Sequence, residues 1–211
     1  VSDLRFQPYM QSPLHAFDLP SRAVAQDDRH GVWTNELPLR GYLTLRGQGS
    51  DAAFRDAVAN VLGQPLPTQP SSYSHGPSGT LLWISPDEWL LSGERSTVKS
   101  LIPALESALK GQHVQVVDNS GGYTQVYLTG RHAVTLLRHL GVYDFEQVTV
   151  GRAVSTMLTK ANVTVYRLEE GGLHLVFRRS FADYVWRLIE RAATPYGLGI
   201  CSLPAGFGLA G

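Results

Sequence analysis

Leu81-Leu82-Trp83-Ile84-Ser85-Pro86-Asp87-Glu88-Trp89-Leu90-Leu91-Ser92 decides the fold, because the same arrangement returns about 84 residues later. The first stretch runs on into apolar positions at Val98, Leu101, Ile102, Leu105 and Leu109. In the second, Val163-Thr164-Val165-Tyr166 turns at Glu169-Glu170-Gly171-Gly172 into Leu173-His174-Leu175-Val176. Phe181, Tyr184, Val185, Leu188, Ile189 and Ala192 follow. Short alternating runs around a turn are a hairpin, and the 3.6-residue spacing after them is an amphipathic helix. Each copy is therefore a hairpin feeding a helix.

The segments upstream match too. Gly41-Tyr42-Leu43-Thr44-Leu45 precedes Phe54, Ala57, Val58, Val61 and Leu62, and Gln125-Val126-Tyr127-Leu128 precedes Ala133, Leu136, Leu137 and Leu140. A strand feeds a helix with one apolar stripe in both places. With the extended Val114-Gln115-Val116-Val117 the order becomes strand, helix, strand, strand, helix, strand, the split βαβ arrangement. The expected class is α+β, built from two ferredoxin-like units over residues 31–118 and 119–197. An extended arm occupies residues 1–30, and a glycine-rich tail occupies residues 198–211.

The arm carries Met10, Leu14, Phe17 and Leu19 between Pro8, Pro13 and Pro20 without periodicity. It has two places to lie, its own body or a neighbouring subunit. Leu14, His15 and Phe17, with Trp33, are the expected contribution to a partner interface. Gln64 to Gly79 is rich in Pro, Ser and Gly and predicts a long surface loop with a mobile tip at Ser71-Ser72. Ser180 and Asp183 form a capping-box pattern, and Asp183 to Arg187 is a favourable i,i+4 pair. Pro103 interrupts a periodic run, so the helix there is kinked or begins nearer Ser100.

Composition removes several function classes. Eighteen basic residues balance eighteen acidic ones, so no broad field draws the 211-residue chain to nucleic acid or to an anionic membrane. No run approaches the roughly 18 apolar residues of a membrane span, and the first residues lack a secretory pattern. A single cysteine, Cys201, makes no internal disulfide and suits a cytoplasmic setting. His132 and His139 lie two helical turns apart, about 10 Å, too far to share a metal. Neither a phosphate-binding glycine loop nor a G-x-S-x-G elbow is present. No metal site is expected.

Longer runs carry a resemblance. Ser12-Pro13-Leu14, LPLRGYLTLRG from Leu37 to Gly47, LWISPDEWLLSG from Leu82 to Gly93, VVDNSGGYTQVYLTG from Val116 to Gly130 and RRSFADYVWRLIERAA from Arg178 to Ala193 resemble the gamma subunits of bacterial heterotetrameric sarcosine oxidases. Those subunits are in turn similar to the folate-binding aminomethyltransferases of the glycine cleavage system. The resemblance implies an aminomethyltransferase-like fold and a noncatalytic structural subunit of an oxidoreductase complex for sarcosine catabolism. The partner is chiefly the alpha subunit, with the beta and delta subunits. FAD, FMN, NAD and tetrahydrofolate are implied on the partners, which demethylate sarcosine to glycine and pass the one-carbon unit to tetrahydrofolate.

Aminomethyltransferases carry paired aspartates before a strand that resembles Val165-Tyr166-Arg167-Leu168. Ala161 and Asn162 stand at the matching positions here, and neither is ionisable. Proton transfer or iminium stabilisation calls for a carboxylate that these residues lack. Val142-Tyr143-Asp144 also departs from the Pro-Leu-Asp of gamma chains. The alternative is a stand-alone folate-binding or one-carbon protein, with Tyr123, Tyr166 and Arg178 lining its cleft.

Overall fold

The computed structural model describes residues 9–169 and 171–203. Asp18 leads into a single helical turn, α1 (Leu19–Arg22), after which come strands β1 (Val32–Leu37) and β2 (Gly41–Arg46). Helix α2 (Ala52–Leu62) starts where the Asp51 side chain accepts the Ala53 N–H, and it ends at Gly63 in the left-handed region. Strands β3 (Tyr73–Gly76), β4 (Gly79–Ser85) and β5 (Glu88–Gly93) follow, then α3 (Arg95–Ala108) and β6 (Gln115–Asp118). The second half repeats the theme with β7 (Tyr123–Thr129), α4 (Ala133–Leu140), β8 (Ala153–Leu158), β9 (Ala161–Arg167), β10 (Leu173–Arg178), α5 (Ala182–Ala193) and β11 (Leu198–Ile200).

The strands form two sheets, ordered β3-β4-β5-β2-β6 and β11-β1-β7-β10-β9-β8. Strand alternation decides what each face buries. Leu43, Leu45, Leu81, Trp89 and Leu91 turn outward onto α2 and α3, while Val126, Leu128, Val163, Val165 and Leu175 turn outward onto α4 and α5. The opposite faces meet through Tyr42, Leu82, Leu90, Ala153, Tyr166 and Val176. The layers run helices, sheet, sheet, helices.

Several local expectations change. β1 precedes the five-stranded sheet in the chain yet pairs with β7 and β11 in the other sheet. The Gln64–Gly79 loop contains β3, and its Ser71-Ser72 tip is held rather than free. Ala153 N–H donates to the Ser71 carbonyl at 2.9 Å, and Ser72 bridges Arg152. The edge of β4 has unpaired backbone groups to satisfy, which is why a polar loop becomes a strand here.

The start of the expected tail is likewise ordered, as β11 in parallel register on β1. Its Gly199 is a packing requirement, since a Cβ there would lie 2.3 Å from the Trp33 ring. Ser180 caps nothing, because α5 begins beyond it with Phe181 at the N-cap position. The Asp183–Arg187 pair closes at 2.9 Å, and α3 runs through Pro103.

Candidate functional site

The inward faces of the two sheets carry a polar cluster inside an apolar surround. Ser92 on β5 is fully buried, and its hydroxyl donates to Gln125 Oε1 on β7 at 2.8 Å. The Gln125 amide uses its other end twice. Nε2 donates to the Tyr166 hydroxyl at 2.8 Å and to His174 Nδ1 at 2.9 Å. With the amide so oriented, Nδ1 of His174 is an acceptor and its proton resides on Nε2.

The His174 ring lies against Tyr166 with centroids 4.9 Å apart and an interplanar angle of 13°, and Tyr127 sits 5.2 Å away on the other strand. Arg40 Nε donates to Ser92 Oγ at 3.2 Å, which carries the cluster out to the β1–β2 turn. Tyr42 is buried beside these groups with its hydroxyl unsatisfied, and burial holds its pKa far above the tyrosine range.

Strand register places this cluster. His174 is opposite Tyr127 on one neighbour and Tyr166 on the other. Residues two apart share a face, so His174 and Val176 point the same way, and Gln125 and Tyr127 do as well. The arrangement welds sheet to sheet. Its described groups are an amide, three phenols, a hydroxyl, an imidazole and the Arg40 guanidinium, with no carboxylate among them.

Glu36 on β1 is the one buried carboxylate among the described residues. Thr124 Oγ1 donates to it at 2.7 Å, and Ser12 of the arm donates to its other oxygen. Burial is the main influence and raises the Glu36 pKa above 4.5, while the two hydroxyl donors and the Arg179 charge oppose it.

The residues expected to line a folate cleft are partly brought together. Tyr166 is in the sealed centre, whereas Tyr123 is half-buried at one end of the interface with the Arg178 guanidinium 4.4 Å over its ring. Ala161 faces the α4–α5 core, and Asn162 is exposed at the β8–β9 hairpin. The expected interface residues scatter. Leu14 is completely buried in the chain's own core, Trp33 is 2% exposed, and Phe17 packs 5.7 Å from Trp186 under Arg187. Only His15 of the four is open to solvent. The described part of the arm lies on its own body because Leu14 and Leu19 plug the hydrophobic core beside Trp186.

His132 and His139 are joined by Tyr196, which stacks 4.7 Å from the first and accepts or donates at 2.8 Å with the second. No group of three metal-ligating side chains occurs among the described residues. Cys201 is buried, and its thiol is pushed up to about 11 by burial. No described helix is long and apolar enough to cross a membrane.

Sequence reasoning passed over Ser92, Gln125, His174 and Glu36. A signal existed: polar residues at inward positions of alternating strands, as in Leu173-His174-Leu175-Val176, mark buried hydrogen-bonding groups rather than a solvated face.

Comparison with known proteins fits this geometry. A family model described as "Sarcosine oxidase, gamma subunit family" matches residues 46–195. The chain belongs to that family. It is 31% identical over 159 residues to the sarcosine oxidase subunit gamma of Corynebacterium sp. (strain U-96), covering 74% of this chain and 73% of that protein. A chain in the structure of the heterotetrameric sarcosine oxidase of Corynebacterium sp. U-96, in complex with pyrrole 2-carboxylate, superposes with a TM-score of 0.77. That match has 26% identity and covers 91% of this chain and 98% of the other. The glycine cleavage system aminomethyltransferase T of Bartonella henselae matches with a TM-score of 0.61 at 12% identity, over 86% of this chain and 57% of its own. The latter likeness concerns the fold alone.

Proposed function

We propose that this chain is the noncatalytic structural gamma subunit of a cytoplasmic heterotetrameric sarcosine oxidase, held chiefly by the alpha subunit and also meeting beta and delta. The observation that carries it is the extent of the match to sarcosine oxidase subunit gamma, 31% identity across about three quarters of both chains. The sheet orders support a further reading, that the scaffold is a duplicated ferredoxin-like unit. β6-β2-β5-β4 and the run β7-β10-β9 follow the same split βαβ plan, with β3 and β8 added at equivalent edges and β1 lent to the second unit.

The residues do not fit a folate site of this chain's own. The space between the sheets is filled by Tyr42, Gln125, Tyr166 and His174, and Ala161 and Asn162 offer no carboxylate where the related transferases carry aspartates. This supports tetrahydrofolate on the partner subunits, and FAD, FMN and NAD are assigned to them on the family resemblance alone. Co-expression with the alpha, beta and delta subunits tests the reading. Co-elution in stoichiometric amounts is expected, and chains that never associate would overturn it. Calorimetric titration with tetrahydrofolate tests the stand-alone alternative, which requires binding tighter than millimolar.

A further inference from the structure

A groove of about 570 Å³ separates the arm from the β1–β2 turn, within the ~300–1,000 Å³ typical of binding clefts. Its walls are mainly apolar, with Leu14 and Leu19 below, Leu39 and Pro38 on one lip, and Met10 on the other. Met10 is 57% exposed, and Tyr9 next to it is 83% exposed, which places two large apolar side chains together in solvent at the rim. Asp18 and Leu39, one on each side, both hold left-handed backbone at φ 49° and 55°. A bulky Leu in that region is costly and persists only where its surroundings fix it.

The charge of the lining is one-sided. Asp18 and Glu36 contribute carboxyl groups, and among the described residues no lysine or arginine lines the groove. The chain as a whole is neutral, with eighteen residues of each sign, so this local excess is not a by-product of composition. Arg179 donates to the Gln11 carbonyl at 2.6 Å and its charge acts on buried Glu36, so Asp18 is the exposed carboxylate of the rim, while Arg22 donates to the Phe17 carbonyl at 3.1 Å.

We infer that this groove receives an apolar segment of a partner subunit that carries a lysine or arginine. The basic group meets exposed Asp18, and the apolar side chains sit against Leu14, Leu19 and Leu39. The inference rests on the gamma-subunit reading and adds the docking face and the chemistry of the partner segment. An acidic rim over an apolar floor suits such a segment. The floor supplies desolvated anchoring area, and the rim charge chiefly sets association rate and register.

The test uses the full chain co-expressed with the alpha, beta and delta subunits, comparing wild type with Asp18→Lys, Leu39→Glu and, as a control far from the groove lining, Val142→Glu. Val142 is completely exposed, so its replacement leaves the fold intact. Thermal melts of each isolated chain confirm that folding is unchanged. Asp18→Lys is expected to weaken assembly about tenfold and to flatten its salt dependence, and Leu39→Glu to weaken it at least tenfold. Val142→Glu stays within about twofold.

Assembly of both groove variants with unaltered affinity overturns the docking inference while leaving the subunit reading intact. Failure of the wild-type chain itself to assemble removes both. If the groove variants change only the chain's own monomer–dimer balance, the occupant is a second copy and the inference is overturned.

Discussion

Replacing Gln125 by Leu removes the one side chain that holds three buried groups at once, at 2.8 Å from Ser92, 2.8 Å from Tyr166 and 2.9 Å from His174. A buried polar group that loses its partner costs about 1–3 kcal/mol. Tyr166 and His174 keep other contacts, so the low end applies to each, about 3 kcal/mol for the three together. The new isobutyl group regains about 1 kcal/mol of apolar burial. The net expectation is a loss of about 2 kcal/mol, or a melting temperature lower by roughly 4–8 °C for a chain of this size.

Urea titration followed by tryptophan fluorescence measures it, with the denaturant slope unchanged if the two sheets still unfold together. Adding Ser92→Ala separates mechanism from mere size. In the Gln125→Leu background the serine hydroxyl has already lost its acceptor, so its removal should cost about 1 kcal/mol less than in wild type. A loss below about 0.5 kcal/mol, or additivity within about 0.5 kcal/mol, would refute the view that this amide couples the sheets.

Gly199→Ala should destabilise by about 1–3 kcal/mol, since its Cβ would lie 2.3 Å from Trp33 ring atoms; Gly121→Ala, with nothing within 4 Å, serves as the unaffected control in the same melts. Glu36 binds its proton more tightly when folded than when unfolded, because burial raises its pKa. Its contribution is fully present below about pH 4.5 and is lost as pH rises through the raised folded value, so the stability difference between wild type and Glu36→Gln should slope across that window and level off above it. Equal slopes in urea melts at stepped pH would contradict this. Cys201 is fully buried with its thiol pushed up to about 11, so at about pH 8 it should alkylate far more slowly than a free cysteine and react promptly only in urea. Rapid labelling of the native chain would show that β11 opens.

The elements most legible in the sequence are those whose apolar residues are continuous or periodic. Val98, Leu101, Ile102, Leu105 and Leu109 make α3 legible by their shared face, and the apolar run Trp89-Leu90-Leu91, buried on both faces, makes β5 legible. The sheet to which a strand belongs is not encoded in its own pattern. Val32–Leu37 is buried throughout and reads as a strand, but only the partners Thr129 to Gln125 and Leu198 to Ile200 assign it to the second sheet. β3 and β11 escape composition for a related reason. Tyr73-Ser74-His75-Gly76 and Leu198-Gly199-Ile200 are poor strand formers locally, and each is drawn into line by the open edge beside it. Among the expected interface residues, an apolar pattern could not distinguish Leu14 and Trp33, which fill the chain's own core, from side chains kept for a partner.

The position of β1 has a mechanical consequence. The chain leaves the second sheet at Leu37 and enters the first at Gly41, so the only link between them at that point is the short turn through Pro38, Leu39 and Arg40. Within that turn Leu39 holds left-handed backbone, and Arg40 reaches Ser92 Oγ at 3.2 Å and its carbonyl at 3.4 Å. The turn therefore ties together a lip of the groove, the polar cluster and both sheets. This short link couples the halves, because pulling the sheets apart would stretch the turn between β1 and β2 and break the Ser92–Gln125 bond in one event. A link of that kind is consistent with the proposed structural role, in which the subunit presents one fixed face to its neighbours. The buried polar cluster is then best understood as setting the register between the two sheets, a role in which satisfied hydrogen bonds specify one packing over its apolar alternatives.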